Sequence, residues 1–182
     1  MPSPIGHSLG GGTIAWCAES IRRTPLDSRD RLRLTLACAG LAVAPDLDFL
    51  YPPIHRTMTH SLSALGLVVV TTGLIAWRVR RNDVWYTAVT CAFAYASHLG
   101  LDWLGSDTKL PAGIQLFWPF SNTWFISSLG IFRATDLGAF FRIRVIASNA
   151  LAVLRELLIL TPISLCAWWL RNRRIRRPAC GD

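Results

Sequence analysis

The sequence predicts an all-α protein, namely a multi-spanning membrane bundle of about five apolar helices with a long outer loop. Hydrophobic residues make up 52% of the 182 residues and charged residues only 16%, whereas about a quarter is usual in soluble domains. Apolar segments of helical length recur along the chain. Arginines gather at alternate ends of these segments, as the positive-inside rule requires of membrane helices.

Five apolar segments justify the helix count. A membrane span needs about 20 residues, with roughly 17 as the lower limit. The third, fourth and fifth segments reach that length, whereas the first two are short and are expected to be tilted, re-entrant or interfacial. In chain order, the segments are 5–21, 32–45, 61–77, 84–101 and 147–170.

Arginine placement predicts how the bundle is oriented. Most of the 19 basic residues lie between the first and second segments, between the third and fourth, or after the fifth. The positive-inside rule places these ends, and with them the C-terminus, in the cytoplasm. Residues 1–170 then form a single membrane-embedded helical domain, and residues 171–182 form an arginine-rich cytoplasmic tail.

Several other protein classes do not fit the sequence. The net charge of +8 does not indicate a nucleic-acid partner, because the chain has almost no lysine and its arginines border apolar segments. The five cysteines include no C-x-x-C pair, so a disulfide framework and a cysteine-type zinc site are not expected. Residues 6–10 match the G-x-S-x-G elbow of serine hydrolases, but that elbow needs a parallel sheet, which the sequence does not predict.

The fourth segment ends in a pair of metal-type ligands. His98 and Asp102 are four residues apart on a predicted helix, so both side chains project from one face. Ionisable residues inside an apolar run tend to mark function. The alternative is a histidine at a helix end followed by an exposed aspartate cap.

Two carboxylates follow the second segment. Pro45 ends the predicted helix, so Asp46 and Asp48 are expected in an extended turn where they can converge on a cation. A simple polar turn is the alternative. At the start of the chain, His7 begins the first segment in a glycine-rich context, where a stray polar residue is the competing interpretation.

The third segment is preceded by two more histidines. His60 is expected in the first turn of that helix, with Thr57 or Thr59 as N-cap. His55 can be a metal ligand or a general acid. Arg56 suits a phosphate or carboxylate of a substrate, and an ordinary contact with a lipid headgroup is its alternative.

The last segment contains Glu156 beside Arg155. The two residues can form a local ion pair, or Glu156 can reach the other acids as a ligand or base. Between the fourth and fifth segments, residues 103–146 form a long connection rich in aromatic residues, and loops of this length are usually functional. Residues 117–125 are expected to form a substrate entrance, and residues 136–144 an interfacial helix.

Alternating spans bring all these polar residues to the non-cytoplasmic end of the bundle. Imidazole and carboxylate together suit zinc, manganese or iron, and a bound metal can activate water. The predicted metal ligands are His7, Asp46, His60, His98 and Asp102, and the predicted catalytic residues are Asp48, His55, Arg56 and Glu156.

These motifs resemble a known family. The series G-H-S-L-G, A-P-D-L-D, H-R-T-M-T-H-S, S-H-L-G-L-D-W, L-F-W-P-F-S and R-E-L-L-I-L-T-P resembles the YdjM-like family of bacterial inner-membrane proteins over roughly residues 4–170. The family is regarded as metal-dependent hydrolases and looks distantly similar to the zinc-dependent phospholipase C and single-strand nuclease group. The resemblance implies an inner-membrane location and metal-ligand positions at His7, Asp46, His60, His98 and Asp102. With only four histidines, one or two divalent ions, zinc being favoured, are expected instead of three.

The sequence therefore predicts a membrane-bound, metal-dependent hydrolase whose site faces the periplasm. A site at bilayer level suggests a lipid or lipid-linked substrate with an ester or phosphodiester bond. A non-catalytic protein that binds or transports metal is the rival hypothesis, and a structural bundle of paired polar residues is a further one. Paired acids along a path across the membrane would favour transport, and the sequence has none at mid-span.

Overall fold

The computed structural model describes residues 1–51, 55–79, 83–107, 110–136 and 142–176. These residues form helices and irregular connections, and the only β contacts among them are isolated bridges, so the predicted all-α class is confirmed for this part of the chain. The helices are α1 (Pro4–Ile21), α2 (Ser28–Val43), α3 (Leu62–Val79), α4 (Val84–Trp103) and α5 (Ile143–Arg176), with a 3-10 helix at Ala44–Leu50.

Short polar residues set the helix starts. Ser3 caps α1 by accepting a hydrogen bond from the Gly6 N–H at 3.2 Å, and Asp27 caps α2 in the same way. Ser61 accepts from the Ala64 N–H at 3.2 Å at the start of α3. The cap of α3 is therefore Ser61, not Thr57 or Thr59 as predicted, and His60 lies just before the helix.

Small residues let α1 pack closely in the bundle, where it contacts α2, α4 and α5. A Cβ atom at Gly11 would lie only 2.3 Å from the Cys38 carbonyl oxygen of α2, so this close approach requires glycine. The core beside it consists of small and medium side chains, including Ala15, Cys38, Cys91 and Ala94. α3 packs against α4.

The helices alternate in direction, so the bundle has two distinct ends. At the site end, α1 and α3 begin, α2 and α4 finish, and α5 passes with Glu156 beside Ser3 after beginning at Ile143. At the arginine end, α1, α3 and α5 finish and α2 and α4 begin. Ser3 bonds to Glu156 of α5 at the site end, whereas Arg22 pairs with Asp83 at the arginine end. The alternation predicted from the arginines is present.

Two helices, α3 and α5, are long and apolar enough to cross a membrane. Only 6% of the apolar window of α3 and 22% of that of α5 is buried inside the protein, so neither is a core helix. Their side chains instead present an apolar surface to the surroundings. α4 reaches the required length but is not apolar enough, so the prediction of more than two spans is not confirmed.

The connection between α4 and α5 folds over the site end. The Leu62 N–H donates to the Leu116 carbonyl at 2.9 Å, and the Ser63 hydroxyl donates to the Trp118 carbonyl at 2.8 Å. These bonds seat the aromatic segment on the start of α3. Most of the predicted interfacial helix at 136–144 and the end of the predicted tail, residues 177–182, lie outside the described residues.

Candidate metal centre

Four of the five predicted metal ligands form one group. His7 lies in the first turns of α1, Asp46 in the 3-10 helix, and His98 and Asp102 at the end of α4. One ligand atom from each lies within 4.8 Å of the others, so the group could hold a metal ion. His7, His98 and Asp102 are buried, and Asp46 is partly exposed.

The separations within the group match a coordination sphere. The Nε2 atom of His7 lies 3.4 Å from Asp102 Oδ1 and 3.7 Å from Asp46 Oδ2. The Nε2 atom of His98 lies 3.3 Å from Asp102 Oδ2 and 3.8 Å from Asp46 Oδ1. Ligand atoms about 2.1 Å from a tetrahedral ion lie roughly 3.4 Å apart, so these atoms have the spacing that a shared cation needs.

The fifth predicted ligand, His60, adjoins this group. Its Nε2 atom lies 3.0 Å from His98 Nε2, 3.2 Å from Asp102 Oδ2 and 3.8 Å from Asp46 Oδ1. His60 is fully buried, like His7 and His98. The structure therefore brings all five predicted metal ligands together at the site end.

Hydrogen bonds on the far sides of two imidazoles fix their tautomers. His98 Nδ1 lies 2.8 Å from the Ala42 carbonyl oxygen, which can only accept, so the proton is on Nδ1. His60 Nδ1 lies 3.1 Å from the carboxylate oxygen Oδ2 of Asp48. With Nδ1 protonated on both rings, the two Nε2 atoms face each other at 3.0 Å, a contact that needs a proton or a metal ion between them. Burial alone would lower the pKa of His60, but the carboxylates of Asp102, Asp46 and Asp48 raise it, so a proton occupies this position when no metal does.

Other buried atoms of the group have no hydrogen-bond partner among the described residues. They are both ring nitrogens of His7, both carboxylate oxygens of Asp102 and Oδ1 of Asp46. Buried polar atoms left unpaired are destabilising by about 1–3 kcal/mol each, more when charged. Because a single divalent ion would satisfy most of them at once, the residues present fit a metal better than they fit a network of mutual hydrogen bonds.

Asp48 orients a ligand and does not join the group itself. The 3-10 helix repeats every three residues, so Pro45 and Asp48 share its buried face. This differs from the predicted extended turn. Asp48 lies 2.6 Å from His55 Nδ1 and accepts a hydrogen bond from the Thr59 hydroxyl at 2.5 Å.

These contacts decide the charge of Asp48. Burial alone would raise its pKa, but the hydrogen bonds from His55, His60 and Thr59 outweigh burial and hold the pKa well below the usual carboxyl range. An ionised carboxylate behind a histidine is the usual support of a metal-binding imidazole. Asp48 is thus suited to position His60 and poorly suited to accept a proton.

Arg56 and His55 lie beside the group. Arg56 has a positive φ of 61°, and its N–H donates to Asp48 Oδ2 at 2.9 Å while its carbonyl accepts from Gln115 at 3.0 Å. Its guanidinium pairs with Asp107 and lines a small pocket that also includes Asp102. The side chain of His55 is 31% exposed, so it connects Asp48 to the surface.

Glu156 is placed elsewhere. It is fully buried and accepts hydrogen bonds from the Ser3 N–H at 2.7 Å and from the Ser3 hydroxyl. Among the described residues its hydrogen bonds thus go neither to Arg155 nor to the His/Asp group, so both predicted alternatives differ from what is observed. By holding Ser3, Glu156 fixes the start of α1 on α5 and so helps to place His7.

Three groups that support the site were not predicted from the sequence, namely Asp107, the Ala42 carbonyl and Ser3. Asp107 follows no recognisable motif, and the carbonyl of Ala42 leaves no trace in a sequence. Ser3 does carry a signal, because a serine before a proline is a common helix start. Even that signal does not reveal its bond to Glu156, which is 153 residues away.

The family model of the YdjM inner membrane protein matches residues 1–175 of the chain. No curated protein and no solved structure matches it. The family resemblance predicted from the motifs is thereby confirmed. The distant similarity to the zinc-dependent phospholipase C and nuclease group stays a prediction.

Proposed function

The chain belongs to the YdjM inner membrane protein family, and we propose that it is a multi-pass, metal-dependent hydrolase. Its substrate in this proposal is an ester or phosphodiester of a lipid or of a lipid-linked molecule. One observation carries the proposal. The Nε2 atoms of His60 and His98 face each other at 3.0 Å, and both lie beside the buried Asp102 carboxylate. This arrangement needs a cation, either a proton on His60 or a metal ion, and a metal ion would bind Asp102 and Asp46 at the same time.

Five residues would hold one or two ions, with zinc favoured by the nitrogen and oxygen donors. The bound metal would supply a water of lowered pKa and a Lewis acid that polarises the bond to be cut. Asp46 is the partly exposed member, so the side of the centre next to it is where a water and a substrate can enter. The ligands are His7, Asp46, His60, His98 and Asp102.

The neighbouring side chains have distinct roles in this proposal. Arg56 lines the pocket beside Asp102, and its guanidinium, paired with Asp107 there, can exchange that partner for an anionic oxygen of the substrate. The partly exposed His55 can deliver a proton to the leaving group. Asp48 positions His60, and Glu156 positions the start of α1, so neither is proposed as the base.

Apolar side chains around the site end support a substrate that comes from the bilayer. Leu47 and Leu50 are exposed on the outer face of the 3-10 helix, whose inner face carries Asp48. Phe120 is also exposed, on the aromatic connection that sits on the start of α3. α3 and α5 present apolar surfaces between the two ends of the bundle, so the exposed apolar side chains around the site end fit the interfacial layer of a membrane. We place the site end on the periplasmic side, with the arginine end in the cytoplasm.

A second candidate function is a non-catalytic metal-binding protein. It is favoured by the number of donors, because five protein ligands on one ion would leave no open position for a water. A catalytic centre needs one position open for water, which requires either that two ions share the five ligands or that only three of them bind one tetrahedral ion.

Metal analysis of the purified protein tests the centre. We expect His60→Ala and Asp102→Ala to lose bound metal, whereas Asp30→Ala, which removes a carboxylate at the arginine end, should keep it. Normal metal content in both site variants would refute the centre.

Hydrolysis of a panel of lipid esters and phosphodiesters tests the reaction. We expect Arg56→Gln to keep its metal and lose turnover, and Arg133→Gln, an exposed arginine at the same end, to keep both. Metal binding without turnover by the unmodified protein on any substrate would establish the non-catalytic candidate instead.

A further inference from the structure

The arginine end contains two kinds of arginine. Those of the first kind are engaged inside the protein. Arg22 pairs with Asp83 at 2.7 Å and lies over the ring of Tyr86, and Arg171 lies 3.2 Å from the buried carboxylate of Glu19. Arg174 donates to the backbone carbonyls of Arg22 and Arg23. These arginines join α1, α4 and α5.

Arginines of the second kind point outward. The side chains of Arg23, Arg29, Arg33, Arg173 and Arg176 are exposed. Two of the acids at this end, Glu19 and Asp83, already pair with inner arginines, and Asp27 caps α2. Asp30 lies 3.4 Å from Arg33. Among the described residues, the outer surface of this end therefore carries an excess of positive charge.

A ring of tryptophans lies just inside this charge. Trp77 is in the last turn of α3, Trp85 in the first turn of α4, and Trp168 and Trp169 lie near the end of α5. All four are exposed, and Arg173 lies 4.4 Å above the ring of Trp169. Exposed tryptophans at the ends of apolar helices mark the boundary between hydrocarbon and headgroups.

The order of surfaces along α5 is therefore apolar, then aromatic, then basic. We infer that the arginine end binds the headgroups of anionic phospholipids in the leaflet that it reaches. The exposed arginines meet the phosphate layer, the tryptophans lie at its inner edge, and the apolar sides of α3 and α5 continue into the hydrocarbon. This inference rests on neither the metal centre nor hydrolysis.

Selective lipid retention tests the inference. Detergent-solubilised full-length protein is titrated with phosphatidylglycerol or with phosphatidylcholine, and retained lipids are counted by native mass spectrometry. We expect the unmodified protein to retain phosphatidylglycerol preferentially and to lose that preference at high salt, because the contacts are between exposed charges.

Paired variants on one helix locate the binding surface. The double variant Arg173→Gln/Arg176→Gln removes two exposed arginines at the C-terminal end of α5, and Arg142→Gln/Arg144→Gln removes two at its N-terminal end. We expect the first to weaken phosphatidylglycerol binding by roughly tenfold or more and the second to leave it unchanged. Circular dichroism confirms that both variants fold.

Three results would overturn the inference. The first is equal retention of the two lipids by the unmodified protein, and the second is an equal effect of the two double variants. The third is a loss of lipid preference only in the variant at the site end. None of these depends on metal content, so the proposed hydrolase can fail while this inference stands.

Discussion

The two ends of the bundle treat buried charge in opposite ways. At the arginine end, Glu19 faces Arg171 and Asp83 faces Arg22, so each acid has a basic partner. At the site end, Asp102 faces three imidazoles instead, those of His7, His60 and His98. The arginine end therefore sets its buried acids against guanidinium groups, which are always charged, whereas the site end gathers its acids around imidazoles, which can bind a metal ion.

The largest effect is expected when the metal ion of the site end is removed. Chelation of metal should lower the melting temperature of the unmodified protein, because an ion at about 1,000 times its Kd stabilises a fold by roughly 4.1 kcal/mol. The variant Asp102→Asn should bind no metal and show no response to chelator. The measurement is thermal unfolding with and without chelator, followed by re-addition of zinc. A chelator effect of equal size in both proteins would show that Asp102 is not part of a metal centre.

The second-largest effect is expected when the ion pair between Arg171 and Glu19 at the arginine end is broken. Arg171→Gln leaves the buried Glu19 carboxylate without its partner, and removing one member of a buried pair is destabilising by about 3 kcal/mol. Metal content should not change. Unfolding and metal analysis of the same preparation measure both quantities. The double variant Glu19→Gln/Arg171→Gln is the control and should recover part of the lost stability, and a variant that lost metal would mean that the two ends are coupled.

The third effect weakens the site end without removing a ligand. Asp48→Asn keeps the shape of the side chain but removes the negative charge behind His60, so metal affinity should fall by about 10–100-fold. Competition with a fluorescent chelator measures the affinity. Ser61→Ala, which removes the α3 cap next to His60, is a matched control and should leave metal affinity within about threefold of the unmodified protein.

Asp48 also gives the site end an acid sensitivity. Its pKa in the folded protein lies below the ordinary carboxyl value, so its ionisation stabilises the fold above about pH 4. That contribution is lost as the pH falls through the folded-state pKa. As the pH falls from about 4 toward 2, the metal-free protein should therefore lose more stability than metal-free Asp48→Asn does. Parallel acid unfolding curves would contradict this assignment.

Local patterns were sufficient to predict much of this architecture. Apolar runs gave all five helices, and the four-residue spacing of His98 and Asp102 correctly placed both on one face. Alternating arginines gave the helix directions, from which the convergence of His7, Asp46 and His60 follows. Each of these properties depends on neighbours in sequence or on a simple repeat.

Roles that depend on distant partners were not predictable in the same way. Glu156 stood out because it is an acid in an apolar helix, but only the fold reveals that its partner is Ser3. Asp46 and Asp48 are nearly identical in sequence context. The three-residue repeat of the 3-10 helix separates them, turning Asp46 to the centre and Asp48 to the back of His60.

The smallest expected effect concerns an exposed charge. The Arg33 side chain is 77% exposed and lies 3.4 Å from Asp30, three residues earlier on α2. Solvent and salt screen such a pair, so Arg33→Gln should shift the melting temperature by less than about 2 °C. Retention of phosphatidylglycerol should nevertheless fall, because the charge faces the proposed lipid layer. Thermal unfolding and native mass spectrometry on one sample measure both. A large loss of stability with normal lipid retention would mean that the outer arginines hold the fold together, as Arg22 and Arg171 do, and would erase the distinction between the two kinds of arginine.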